Sequence, residues 1–117
     1  MLINTYTYIE SKSKFTAYYY DIKSKDEFNL IYLNLKKENK NARHIPYACI
    51  LSNTAFKSDD KEPSGSSANP IYNVLLRNNL QNKAIFVVRI FGGTKLGIGG
   101  LSRAYSKVAN EVIRPTL

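Results

Sequence analysis

Between Ala84 and Phe91 the chain sets Ile, Phe, Val and Val in succession. It then runs directly into Gly92-Gly93-Thr94-Lys95-Leu96-Gly97-Ile98-Gly99-Gly100, which holds five of the six glycines. An unbroken apolar run of this length is expected of a strand covered on both faces. Leu101, Tyr105, Val108 and Val112 follow at helical spacing, so the strand is predicted to pass through a glycine loop into a helix beginning near Leu101. A two-sided strand needs other elements around it, and the upstream sequence supplies them.

Ile3 to Ile9 and Phe15 to Ile22 are rich in Tyr, Thr and Ile and flank a polar turn from Glu10 to Lys14, the pattern of two strands. Ser24 with Glu27 three residues on forms a capping box. Phe28, Ile31, Tyr32 and Leu35 then predict an amphipathic helix over 25–38, closed by Lys36, Lys37 and Lys40 at its dipole-negative end. Tyr47 to Leu51 reads as a short strand entered through Pro46. Ser52 to Ser67 is a polar loop without periodicity. Asn69 and Pro70 begin a helix, with Pro at its first position and Ile71, Val74 and Leu75 on its buried face. Together these elements make one α+β domain over 1–117, with no room for a second of ordinary size.

No stretch approaches the roughly 20 apolar residues of a membrane span, and Met1 to Glu10 lacks a signal peptide's basic start and apolar middle. Cys49 is the only cysteine, and no His/Cys cluster has zinc spacing, so neither metal nor cofactor is expected. The chain reads as cytoplasmic. Its formal charge is +8, and from Arg77 onward seven basic residues face one acid, Glu111. Such asymmetry suggests a polyanionic partner, although solubility alone also produces it.

The glycine loop gives that charge a place to act. Glycine permits positive φ and lets backbone N–H groups approach a ligand without an intervening Cβ. A helix that opens there presents unpaired N–H groups with positive partial charge, which favours phosphate or carboxylate. Lys95 adds a point charge, and Arg89, Arg103 and Lys107 extend it. The expected anion-accepting set is therefore Arg89, Gly92, Gly93, Lys95, Gly97, Gly99, Gly100, Arg103 and Lys107. Neither the Walker loop nor the dinucleotide fingerprint is matched, because Leu101 and Ser102 follow Gly100. A tight crossover that merely packs the helix on the sheet is the alternative.

Asp59, Asp60, Glu62, Ser64 and Gly65 form a supporting acidic loop. Its carboxylates could act as acid and base, serve ordinary turn chemistry, or pair with Arg89, Lys95 or Arg103. His44 is the only histidine. It could activate Ser64 with Asp59 or Asp60 as orienter, or be a hydrogen-bonded structural residue. His44, Asp60, Glu62 and Lys95 are thus the candidates for catalysis. No hydrolase signature accompanies them, which favours a binding module over an enzyme.

Ser13-Lys14-Phe15, Ala42-Arg43-His44-Ile45-Pro46-Tyr47-Ala48, Asp59-Asp60-Lys61-Glu62-Pro63-Ser64-Gly65 and Arg89-Ile90-Phe91 through Ser102-Arg103-Ala104-Tyr105 resemble, in this order, the IMPACT (YigZ-like) family. The resemblance implies a sandwich like that of a small-subunit ribosomal protein domain and of domain IV of the translocation elongation factor, with a mixed sheet and helices on one face. It implies a role near translation, with RNA or a ribosome-associated protein as partner. Relatives usually add a ferredoxin-like C-terminal domain, expected to be absent here. Lys61 stands where the family usually has Gly, Asn69 takes another glycine position, and Ile90 replaces a tyrosine. The leading expectation is a translation-associated binding module. A small enzyme acting on a phosphorylated substrate in the same cleft is the alternative.

Overall fold

The computed structural model describes residues 1–117. Strands β1 (Leu2–Glu10) and β2 (Ser13–Asp21) form a hairpin. Its two-residue turn, Ser11 and Lys12, has φ values of 49° and 68°, the left-handed pair that matches strand twist. Helix α1 (Lys25–Glu38) follows. Half of the predicted capping box is formed: Glu27 N–H donates to Ser24 Oγ at 3.1 Å, while Glu27 Oε1 reaches one residue past the cap and accepts from Lys23 N–H at 2.6 Å.

Strands β3 (Tyr47–Ile50) and β4 (Ala55–Ser58) come next, then α2 (Ala68–Arg77), β5 (Lys83–Ile90) and α3 (Gly97–Ile113), which ends in a short 3-10 turn. Three boundaries depart from the sequence reading. β4 lies within the segment read as loop; it is four residues at a sheet edge with none fully buried and only Phe56 and Ser58 half-buried, too short to show a period. α2 starts at Ala68, so Pro70 is not its first residue. α3 starts at Gly97, four residues before Leu101.

The sheet runs β1-β2-β5-β3-β4 and every pairing is antiparallel. That corrects the expectation of a mixed sheet. β5 returns between β2 and β3 and runs against both, so no neighbouring pair shares a direction. Helices also cover both faces, not one. Phe15, Ala17, Tyr19, Ile85 and Val87 pack against α2 and α3. On the opposite face Ala84, Phe86 and Val88 pack against α1 through Phe28 and Leu35, where the Phe28 and Phe86 rings stack 4.9 Å apart. The central strand is therefore buried from both sides, as its unbroken apolar run requires. Cys49 is fully buried, and burial pushes its thiol up to about 12. No helix is long and apolar enough to cross a membrane.

Candidate functional site

The site is built where β5 ends and α3 begins. Alternation along β5 sends Ile85 and Val87 toward α2 and α3, and Arg89 continues that series. Its guanidinium enters the α3 layer and is only 6% exposed. The segment ahead of β3 runs alongside: Arg89 N–H donates to the His44 carbonyl at 3.2 Å and Val87 N–H to that of Pro46 at 2.9 Å. This bridge sets His44 opposite Arg89.

Glu62 comes from the acidic loop and is also 6% exposed. Both of its carboxylate oxygens accept from Arg89 Nη1 at 2.9 Å, and Oε2 accepts from the Tyr105 hydroxyl of α3 at 2.5 Å. His44 Nε2 faces Oε1 at 3.7 Å. Burial, and then the neighbouring Glu62 carboxylate, push the Tyr105 phenol well above its ordinary value. Arg89 Nη2 donates to the buried Ser13 Oγ at 3.5 Å, and its guanidinium lies 5.5 Å from the Phe15 ring and 5.6 Å from that of Phe91. Its Nε is buried with no partner. A buried ion pair is sustained when further hydrogen bonds satisfy its remaining atoms; Tyr105 and Ser13 supply them at Glu62 Oε2 and Arg89 Nη2, and only Nε goes without.

Asp59 and Asp60 hold the loop in place. Asp59 Oδ1 accepts from Ala68 N–H (2.8 Å), Ser67 N–H (3.2 Å) and Ser67 Oγ (2.8 Å), and Oδ2 accepts from Gly65 N–H (2.9 Å). Burial alone would raise its pKa, but these bonds, the one from Ala68 foremost, hold it below the usual Asp value. A carboxylate nine residues ahead of Ala68 thus caps α2, whose own Ser67 makes no side-chain cap to the helix, and this explains the early start at Ala68. Asp60 Oδ2 accepts from Ile45 N–H at 2.7 Å, and its carbonyl accepts from His44 Nδ1 at 2.8 Å. His44 therefore carries a proton on Nδ1, with Nε2 turned toward Glu62. Lys61 keeps a glycine-like φ of 71° despite its side chain.

Gly92 is fixed by close approach. A Cβ there would lie 2.1 Å from the Lys12 carbonyl carbon, and its N–H donates to Ser13 Oγ at 3.2 Å. Past it the backbone opens: residues 93–96 make none of the backbone hydrogen bonds found outside the helices and strands. Gly97, with φ of 74°, starts α3, and no side chain caps it. The first N–H groups of a 17-residue helix are thereby left without helical partners.

These parts enclose a cleft of about 420 Å³. It is lined by Arg43 and His44 ahead of β3, Glu62 and Pro63 of the acidic loop, Arg89 and Phe91 at the end of β5, and Lys95, Leu96, Gly97, Ile98 and Leu101 of the glycine loop and α3. Of the four residues considered for catalysis, His44, Glu62 and Lys95 meet here. Asp60 does not; its carboxylate is turned to Ile45 beside a separate hollow lined by Lys36, Lys40 and Lys61. Ser64 is exposed and makes no hydrogen bond to His44, so the arrangement of Ser64, His44 and an aspartate does not form: the Asp60 carbonyl occupies Nδ1 and Asp59 serves α2. Arg103 lies over Gly99, where an added Cβ would be 3.4 Å from its Nη1, outside the lining. Lys107 is farther away, with Nζ 5.2 Å from the Tyr8 ring. Gly93, Gly99, Gly100 and Gly65 are not lining residues either.

Sequence reasoning passed over Arg43, Pro63, Phe91, Leu96 and Ile98 as site residues, and read Tyr105 only as core. The pairing of the acidic loop with Arg89, one of the alternatives read from the sequence, is made by Glu62; Arg89 is a charge in core register within an apolar strand, which demands a buried partner.

A family model described as the Impact N-terminal domain matches residues 11–113. The IMPACT family member YvyE of Bacillus subtilis is 35% identical over 103 residues, which cover 86% of this chain and 48% of that protein. The chain spans about half the length of the curated relatives it matches. A crystal structure described as a hypothetical protein superposes with a TM-score of 0.91 at 28% identity, over 95% of this chain and 56% of the other. The two-domain translational regulator Yih1 shares the fold, with a TM-score of 0.51 at 17% identity over 97% of this chain and 45% of its own.

Proposed function

Since the chain belongs to the IMPACT family as an Impact N-terminal domain, we propose that it is a translation-associated binding module that engages RNA or an RNA-bearing ribosomal surface. The observation that carries this reading is the cleft itself. Lys95, Arg43 and the uncapped start of α3 converge on it, while the cation of Arg89 is already matched by Glu62. Negative charge is favoured at that helix end and backbone amides suit phosphate. The formal charge of +8 adds long-range attraction to a polyanion. A translational regulator of the same fold, and the expected likeness to a ribosomal-protein domain and to elongation-factor domain IV, set the context of translation.

Fluorescence anisotropy with a labelled single-stranded RNA tests the reading. Phosphate contacts make log K fall with log salt at about 0.7 per contact on single strands, so three contacts would weaken binding roughly 20-fold from 50 to 200 mM salt. Absence of binding at the lower salt would end the RNA reading.

One observation favours an enzyme instead. His44 is oriented through Nδ1 by the Asp60 carbonyl and turns Nε2 toward the cleft wall beside Glu62, as a positioned base would be. Acting on a small phosphorylated substrate, such a site would give a thermal shift with that compound that is lost in Lys95→Ala. A screen of phosphorylated metabolites with no shift would oppose it.

A further inference from the structure

An anion receptor has no use for exposed apolar surface, yet this cleft displays it. Phe91 is 40% and Ile98 61% exposed, and both line the cavity beside Lys95 and Gly97. The Arg43 guanidinium lies 6.0 Å from the Phe91 ring on the open side of the site. Aromatic rings and guanidinium planes are the surfaces on which unstacked bases lie. On the inner wall, His44 Nε2 and Glu62 Oε1 face each other at 3.7 Å. With the His44 proton held on Nδ1 by the Asp60 carbonyl, a neutral imidazole makes both of these atoms acceptors. Two facing acceptors want a donor between them, which a ribose hydroxyl or an exocyclic amino group can provide.

We propose that the cleft takes one unpaired nucleotide. Its base lies on the Phe91–Arg43 pair against Ile98, its phosphate meets Lys95 and the first amides of α3, and a hydroxyl or amino donor bridges His44 and Glu62. This rests on the RNA reading above and narrows it to single strands. A cavity of about 420 Å³ is in the range that holds one small molecule. The stacked, paired bases of an A-form duplex cannot enter it, whereas a splayed base can.

Anisotropy titrations at low salt with three labelled probes decide the matter: a single-stranded RNA decamer, the same sequence as a duplex, and a decamer of equal charge with abasic sites. The intact single strand is expected to bind about ten-fold or more tighter than either of the others. Phe91→Ala should remove most of that preference, consistent with the five- to hundred-fold usually lost with a stacking aromatic. Because both side chains are exposed, Phe91→Ala and Ile98→Ala should keep the native melting temperature within a few degrees, which excludes misfolding as the cause. Lys95→Ala should weaken all three probes together. Equal affinity for intact and abasic strands, or a preference untouched in Phe91→Ala, would overturn the nucleotide assignment and leave RNA binding standing. Silence with all three probes would overturn the RNA reading as well.

Discussion

Glu62 has no freedom to be anything else. Its carboxylate receives the Arg89 guanidinium and the Tyr105 hydroxyl at once, in a setting that leaves 6% of each charged residue exposed. Removing one partner strands the other charge in a poorly solvated site, which costs about 3–5 kcal/mol. Glu62→Ala is therefore expected to lower unfolding free energy by about 3 kcal/mol, read as a reduced denaturant midpoint, and a loss below about 1 kcal/mol would contradict the geometry. Part of this was legible in the sequence: a pairing of the acidic loop with Arg89, Lys95 or Arg103 was among its readings, and Glu62 with Arg89 is the pair that forms, although the two lie 27 residues apart in the chain. The Tyr105 hydroxyl as third partner carried no such signal. Lys61 is a milder case. Its φ of 71° lies in the left-handed region that a glycine adopts freely and a lysine rarely does.

At the scale of elements, legibility followed how local the determinants are. α1 was readable to its ends because its cap and its apolar stripe lie within its own sequence. α2 was not, since its cap is Asp59, outside the helix and reached only after the loop folds back. The start of α3 was missed because glycines argue against helix by propensity, and tertiary packing on the sheet outweighs that preference. The Asp59 cap carries a pH signature. Its folded-state pKa lies below the unfolded value, so the stabilisation is complete above the ordinary Asp range near pH 4 and is lost as pH falls through the lower folded value. Asp59→Ala should cost about 1–2 kcal/mol at neutral pH. It should also flatten the loss of stability that the native chain shows on acidification below about pH 4. Parallel melting curves of the two proteins across pH 2 to 7 check both; an unchanged acid limb in Asp59→Ala would refute the cap.

Over the whole molecule, the glycine-rich stretch has two jobs that the sequence presented as one. Gly92 serves packing, pressed on the Lys12 carbonyl at the hairpin tip, and its amide is consumed by Ser13. Beyond it the chain is released from such contacts, and the uncapped start of α3 faces a cleft with Lys95. The two-sided sheet makes this possible: β5 is held by cores on both faces, so its last residue and the loop after it are presented on a rigid support. Charge asymmetry pointed to the last third of the chain, but Lys107 and Arg103 fall outside the cleft while Arg43, remote in sequence, joins it. The claim on which the functional account stands is that the backbone of residues 95–98, where the loop enters α3, receives the phosphate. Recording amide 1H–15N spectra of the chain while adding single-stranded RNA tests it most directly. The account expects the largest shifts at Lys95 to Ile98 and at Arg43, with small changes along α1; shifts concentrated elsewhere, or none at saturating RNA, would contradict it.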